Sequence, residues 1–373
     1  MAKTMRIVFD NLGSTEFSGG MRLHSSEFVS AWLELFAEDS VAIVGGAWVA
    51  AEFSGRDVDV VRWPNEHVLG RTIGQLIATP VVGAIRRADF VISLSPIVSP
   101  MVPRKRAVAF QHDWRHKINP DEFPAHQRAY RKLWEVSAGH ASVNACISSK
   151  AEGETRRYVP RAETTVVENG RDHARNWVVP IGSEGATVPT VVTFGHHNNK
   201  RPELVIDAFA KAVADLDDFS QAKLVVLGAR GDYAEELRVR IAHAGLSGRV
   251  ELPGFVSDEE YQKIVSGASA VVMASTDEGF GLPIAEAEFF GIPAVVTENS
   301  GMDTVFKDYA IVSKPTPGGL SSAIAQALRD GRQNTERTRH TWHDAAVALR
   351  AELTERTQSN RWASLGAAGR FAR

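Results

Sequence analysis

The chain has 373 residues, 44% of them hydrophobic, and a formal net charge of −3. That length predicts two domains with sizeable cores. The near-balanced charge excludes a global pull toward nucleic acid, and the single cysteine, Cys146, excludes an intrachain disulfide or a cysteine-rich zinc site.

Short apolar runs alternate with amphipathic stretches throughout. The runs at 5–10, 41–49, 89–95, 107–113, 142–148 and 164–168 predict strands in the first half. Those at 190–195, 223–228, 250–252, 270–275, 294–298 and 310–313 predict strands in the second. Among the helical stretches, 21–36 places Phe28, Trp32 and Leu35 on one face, with Val29, Leu33 and Phe36 beside them; 202–213 and 234–244 read similarly. Alternation of buried strands with helices predicts an α/β protein of parallel, doubly wound sheets, and so many strands suit two sheets better than one. Composition breaks over 169–190, at Gly170, Pro180, Gly182, Gly185 and Pro189, where a linker is expected. Met1 leads directly into the first strand. We read neither a signal peptide nor an apolar run long enough to span a bilayer, so a cytoplasmic setting is expected, with a peripheral membrane contact left open.

Chemistry-bearing residues also follow in chain order. Gly19 and Gly20 open a helix after the first strand, where glycine lets a backbone approach a phosphate. Asp57-Val58-Asp59 imitates a metal-binding D-x-D triplet, but sits between an arginine and an apolar run and is discounted. The clusters Arg104-Lys105-Arg106 and Arg156-Arg157 suit an anionic lipid or glycan, although such runs are most often solvated faces. His112 ends a strand, where ligands of parallel sheets collect. A structural histidine is the alternative. A zinc pair with His116 would need a helix and a third ligand, and Pro120 and Pro124 argue against it. Cys146 reads as an inert core thiol. After the strand at 190–195 come His196, Lys200 and Arg201, cations at a helix start that suit phosphate neutralisation.

The richest stretch is 278–287, Glu-Gly-Phe-Gly-Leu-Pro-Ile-Ala-Glu-Ala. It follows a buried strand and opens a helix at Leu282–Pro283. The N–H groups of Phe280, Gly281 and Leu282 then point out of a helix N-terminus and can hold a diphosphate. Glu278 lies before the phosphates and Glu286 a turn into the helix. The two acids can read hydroxyls on opposite sides, which is the shape of a nucleotide-diphosphate sugar. Glu288 reads as surface.

This stretch resembles the E-x7-E motif of the retaining family-4 glycosyltransferases of GT-B fold. Val250–Ser257 stands where that family has a base-binding loop, which implies donor contacts from Phe255 and Val256. Gly291-Ile292-Pro293-Ala294-Val295-Val296 stands where it has the next strand. The resemblance is strong over 190–345 and weak before it. It implies a GT-B fold, two Rossmann-like domains facing across a cleft. The expected limits are 1–170 for an acceptor-side domain, 171–189 for a linker, 190–345 for a nucleotide-sugar domain, and 346–373 for a helix and tail packing back toward the first domain.

The resemblance also implies roles. Glu278, His112 and Lys200 would be catalytic, with Glu278 on sugar hydroxyls, His112 facing the sugar and Lys200 on the leaving diphosphate. Gly19, Gly20, His196, Arg201, Phe280, Gly281, Leu282 and Glu286 would bind the donor, Glu286 through the ribose diol. His196 replaces the family's usual arginine and Thr304 a common glutamate, while Val167–Asp172 resembles its N-G-V-D hinge with Arg171 in place of valine. The expected reaction moves a hexose-type sugar from a UDP- or GDP-sugar to a glycan, lipid-linked or small-molecule acceptor, without cofactor or metal. A sugar-nucleotide epimerase and a non-catalytic nucleotide-binding protein are the rival readings.

Overall fold

Two parallel sheets organise the computed structural model, which describes residues 4–16, 18–177, 188–215, 220–333 and 339–368. The chain forms two units, Met1–Gly170 with His340–Arg373, and Arg171–Arg339.

In the first unit, β1 (Arg6–Asp10), β2 (Ser40–Gly45), β3 (Asp59–Arg62), β4 (Phe90–Ser93), β5 (Ala107–Gln111), β6 (Val143–Cys146) and β7 (Thr164–Val166) form a seven-stranded sheet ordered β3-β2-β1-β4-β5-β6-β7. In the second, β8 (Thr190–Phe194), β9 (Lys223–Leu227), β10 (Val250–Gly254), β11 (Ala270–Met273), β12 (Ala294–Thr297) and β13 (Ile311–Ser313) form a six-stranded sheet ordered β10-β9-β8-β11-β12-β13. Helices cover both faces of a parallel sheet, so its central strands are apolar on both sides. In β1, Val8 joins a core with Val44 and Val91 on one face. Phe9, pointing the other way, meets Phe28 and Trp32 of the helix Gly19–Leu35 at 6.3 and 5.7 Å between ring centres. In the second unit Val191, Leu224 and Val272 pack with Phe209 and Ile324.

Three expectations need correction. β3 was not anticipated: Asp59-Val60-Val61-Arg62 is a short, half-polar edge strand, where pairing with β2 rather than apolar content supplies the structure. The D-x-D imitation thus lies at a sheet edge, with Asp59 paired to Arg86. The run 41–49 ends as a strand at Gly45, and Ala47–Glu52 is a helix. An apolar run of bilayer length does exist. Residues 68–85 form a helical stretch long and apolar enough to cross a membrane by length and composition. The glycines and single Arg71 that interrupt it in sequence do not interrupt the helix.

The expected linker 171–189 is described only in part. Within it, Arg171, His173 and Trp177 pack onto the second unit, and 178–187 lie outside the described residues, as does the tail beyond 368. The last helix runs Trp342–Ala368. Its Trp342 ring meets His24 at 5.6 Å, and Arg350 makes a buried ion pair with Asp39 at 3.0 Å. The first unit takes up the chain again at His340. Cys146 is buried, and burial pushes its thiol up to about 12.

Asp10 closes β1 with its carboxylate buried, one oxygen accepting the Leu12 N–H at 2.9 Å. Burial pushes this carboxyl up from 3.8 to about 7. The fold therefore favours the neutral form; that contribution is full below the unfolded value and is lost as pH rises through about 7. Asp10→Asn keeps an acceptor and cannot ionise. In urea unfolding it should match the wild type near pH 4 and exceed it by more than about 1 kcal/mol at about pH 8, since one pKa unit is about 1.4 kcal/mol. A constant difference at both pH values would sink this reading.

Candidate active site

In the second sheet β8 has β9 on one side and β11 on the other, so the connections leaving β8 and β11 turn to opposite faces. The crevice at such a reversal, beyond the carboxyl ends of the strands, is where parallel sheets bind ligands. Two loops border it, residues 195–201 after β8 and 274–281 after β11. The Thr276 N–H donates to the Asn199 carbonyl at 2.9 Å and joins them. Lys200 Nζ donates to Glu278 Oε1 at 2.6 Å, and Asn199 Nδ2 reaches the same oxygen at 3.3 Å and the Asp277 carbonyl at 3.0 Å. The Glu278 N–H donates to Ser300 O at 2.8 Å, which ties in the loop after β12. Lys200 is 8% exposed, so its charge is held in a partly dry place by a paired carboxylate.

The turn after Glu278 leads into the helix Leu282–Phe289. Gly281 has φ 105°, and a Cβ there would sit 2.8 Å from Met302 Cγ and 2.9 Å from Met302 Sδ. Only glycine fits both the backbone and the space. Phe280 is buried against Phe306, ring centres 5.5 Å apart, which holds the turn from beneath. The first N–H groups of any helix lack intrahelical acceptors and carry the positive end of its dipole. Here they open beside the Lys200–Glu278 pair.

Glu286 is buried inside this helix. Tyr261 O–H donates to Oε2 at 2.6 Å and His173 Nε2 to Oε1 at 3.1 Å. Burial, with Glu286 adjacent, pushes the Tyr261 hydroxyl well above its ordinary value, so it remains a donor. Glu288 is a correction: it is not surface but 9% exposed, paired with Arg171 at 3.1 Å. Arg171 also donates to Val305 O at 3.0 Å and lies 4.8 Å over the Phe306 ring. In sequence Glu288 looked solvated because its cation lies 117 positions away.

Residues 181–346 match the model of the glycosyl transferases group 1 family. O-antigen chain mannosyltransferase B of Escherichia coli is 32% identical over 126 residues, 34% of this chain and 31% of that protein. The GDP-mannose:cellobiosyl-diphosphopolyprenol alpha-mannosyltransferase of Xanthomonas oryzae pv. oryzae is 27% identical over 240 residues, 60% of this chain and 59% of that protein. The chain thus spans less than two thirds of the length of both. HepE of Anabaena, solved in complex with UDP-glucose, superposes with a TM-score of 0.65 at 18% identity over 98% of this chain and 100% of that one. The resemblance to the glycosyl transferases group 1 family thus rests on residues 181–346. The two doubly wound units have the GT-B fold.

Other residues expected at the site fall as follows. Arg201 has φ 48° and donates from Nε to Ala274 O at 2.6 Å and from a terminal nitrogen to Ser275 O at 3.3 Å, so it clamps the end of β11. His196 is exposed after Gly195, its ring 4.9 Å from His197. Phe255 is 65% exposed at the end of β10, with Arg230 5.1 Å over its ring, and Val256 is half-buried. Thr304 is exposed on the short helix Met302–Val305.

In the first unit, Gly19 and Gly20 are exposed at the start of the helix Gly19–Leu35, and a Cβ at Gly19 would meet nothing within 4 Å. His112 is buried after β5, its Nε2 donating to Leu94 O at 3.0 Å, with His24 4.7 Å away. Burial pushes the His112 ring below its ordinary value, so it is neutral at pH 7 with Nδ1 as the acceptor. Sequence reasoning missed Asn199, Tyr261 and His173. Asn199 lay inside a loop already singled out, whereas nothing in sequence joins Tyr261 and His173 to Glu286.

Gly281→Ala should destabilise the protein by roughly 1–3 kcal/mol, the usual size for a forced left-handed conformation. Gly318→Ala is the control, because its Cβ would meet only Lys211 Nζ at 3.9 Å. Urea unfolding checks both; equal stabilities would remove Gly281 as a steric requirement.

Proposed function

We propose that this protein is a glycosyltransferase that moves a hexose-type sugar from a nucleotide-diphosphate donor, keeps the anomeric configuration and needs no metal ion. The observation that carries the reading is the Lys200–Glu278 pair at the reversal between β8 and β11, beside the N-terminus of the helix Leu282–Phe289. A diphosphate arriving there competes with Glu278 for Lys200. The exchange frees the Glu278 carboxylate to accept sugar hydroxyls. As the glycosidic bond breaks, negative charge grows on the leaving phosphate. Lys200 and the helix N–H groups stabilise that charge without reorganising, which lowers the barrier.

The incoming hydroxyl attacks the face the phosphate leaves, and the phosphate accepts its proton. Glu286, aimed by Tyr261 and His173, retains lone pairs for a ribose diol. Exposed Phe255 offers a face to the base. Neutral His112 serves as a hydrogen-bond partner of substrate. Arg201, bonded to strand-end carbonyls, is a support for this loop rather than a phosphate ligand. The mannosyltransferase names of the relatives favour GDP-mannose as donor, with UDP-glucose next. The acceptor is a glycan, a lipid-linked saccharide or a small hydroxyl compound.

Two measurements test this. Lys200→Ala should lower kcat by roughly 10²–10³, the loss seen when one oxyanion donor is removed. Glu278→Gln should bind nucleoside diphosphate nearly as well as the wild type and transfer far more slowly. Wild-type turnover of Lys200→Ala at saturating donor would overturn its role, and proton NMR showing an inverted product would overturn retention. Activity should also survive excess EDTA. Loss with EDTA and rescue by manganese would refute the metal-independent scheme.

A further inference from the structure

The helical stretch 68–85 of the first unit has its faces reversed. It runs as Val68–Ile73, a π segment Gly74–Ala78 and Thr79–Ile85. The face on the sheet is small and polar: Gly74, Gln75, Thr79, Pro80 and Gly83 are buried. The face away from it carries Leu69, Ile73, Ile77, Val81 and Ile85, which are 73%, 40%, 51%, 45% and 73% exposed. These five recur every fourth residue. In an α-helix that spacing drifts around the axis, but the wider π turn takes up part of the drift and keeps the row together. A surface helix of a soluble protein ordinarily turns such a row inward. Exposed in one patch, it marks a surface for an apolar partner.

Two more observations say what the partner is. No carboxylate occurs from His67 to Ala88, while Arg71, Arg86 and Arg87 do. The segment after β4 adds to the same face: Ser99 Oγ donates to Leu76 O at 2.7 Å, and Met101 beside it is 62% exposed. Arg106 donates to Ala88 O at 3.1 Å, which brings the cluster Arg104-Lys105-Arg106 to the end of the row. Of the acids around the stretch, Asp59 and Asp89 are paired with Arg86 and Arg6 and Glu163 with Arg104, while exposed Glu66 lies before Leu69, at the opposite end from the basic cluster. The patch is therefore apolar, with its basic residues gathered at the end near Ala88. An anionic bilayer complements both parts.

We propose that this face docks the first unit on an anionic lipid surface, with the helix lying in the interface plane. It does not cross. A Cβ at Gly74 would sit 2.6 Å from Leu12 and Trp63 side-chain atoms, and one at Gly83 2.8 Å from Val91, so the helix backbone lies directly on the sheet. Aliphatic side chains enter the acyl boundary, and Arg87 and Lys105 meet headgroup phosphates. The assignment concerns the first unit alone and does not depend on the transfer reaction proposed above.

The test is co-sedimentation of the full chain with phosphatidylcholine vesicles, with and without phosphatidylglycerol. The wild type should partition to the phosphatidylglycerol vesicles, less so at high salt. The triple variant Leu69→Gln/Ile77→Gln/Ile85→Gln should lose at least about tenfold in partition, as lost apolar burial demands, with its circular dichroism and nucleoside diphosphate binding unchanged. Arg87→Gln/Lys105→Gln should lose binding only to anionic vesicles. If the triple variant does not fold, the single changes Leu69→Gln and Ile85→Gln, at the two most exposed positions of the row, carry the same expectation. A wild type that stays in the supernatant, or a folded variant that sediments like it, overturns the proposal. So does light scattering that finds a wild-type dimer which the variant converts to monomer.

Discussion

The constraint on which the second unit depends is the parallel winding of its sheet. Every strand ends on the same edge, so every loop that leaves a strand emerges there. Where the winding reverses, between β8 and β11, the connections part to opposite faces of the sheet and leave a crevice that the two loops border. Lys200 and Glu278, 78 positions apart in the chain, meet at that point at 2.6 Å. Sheet topology thus supplies the proximity, and the loops supply the chemistry.

The loops hold their shape at an energetic cost met locally. Arg201 is a non-glycine residue in the left-handed region, worth about 1–2 kcal/mol of strain. Its guanidinium offsets that by bonding two carbonyls at the end of β11. The kink lets the 3₁₀ turn Asn198–Lys200 pass into the helix Pro202–Asp215 with Lys200 raised toward Glu278. The acids behind the site are treated alike. Glu286 has Tyr261 and His173, and Glu288 has Arg171. Removing one partner of such a buried pair typically costs 3–5 kcal/mol, because the other charge is stranded. These contacts hold the helix Leu282–Phe289, and so its N-terminal N–H groups, in one orientation. A site that acts by stabilising charge needs that fixity, since donors that must reorient lose most of their effect.

The first unit uses the same winding and departs from it in one element. The stretch 68–85 lies close to the sheet at Gly74 and Gly83, and its large aliphatic side chains are displaced outward. Elsewhere that unit buries its large side chains in the ordinary way, as Phe28 and Trp32 do against Phe9. The contrast within one unit is why the exposed row reads as a surface with a use.

Much of this was legible without coordinates. Runs such as Val191–Phe194 and Ala270–Met273 are buried on both faces, so composition alone marks them as strands, and their alternation with helices implies parallel sheets. Gly281 before Leu282-Pro283 is a local rule of helix initiation, and a local rule survives in sequence. Edge strand β3 was not legible, because its pairing with β2 makes it a strand and its residues do not. Nor were the true states of Glu288, Glu286 and Arg201, whose partners come from distant segments. The outward row of 68–85 is the sharpest case. Periodicity tells that a helix has an apolar face, but only the packing of Gly74 and Gly83 on the sheet decides which way that face looks. Sequence determines what depends on neighbours within a turn or a strand; burial and charge pairing depend on who arrives from elsewhere in the chain, and that is a property of the tertiary structure alone.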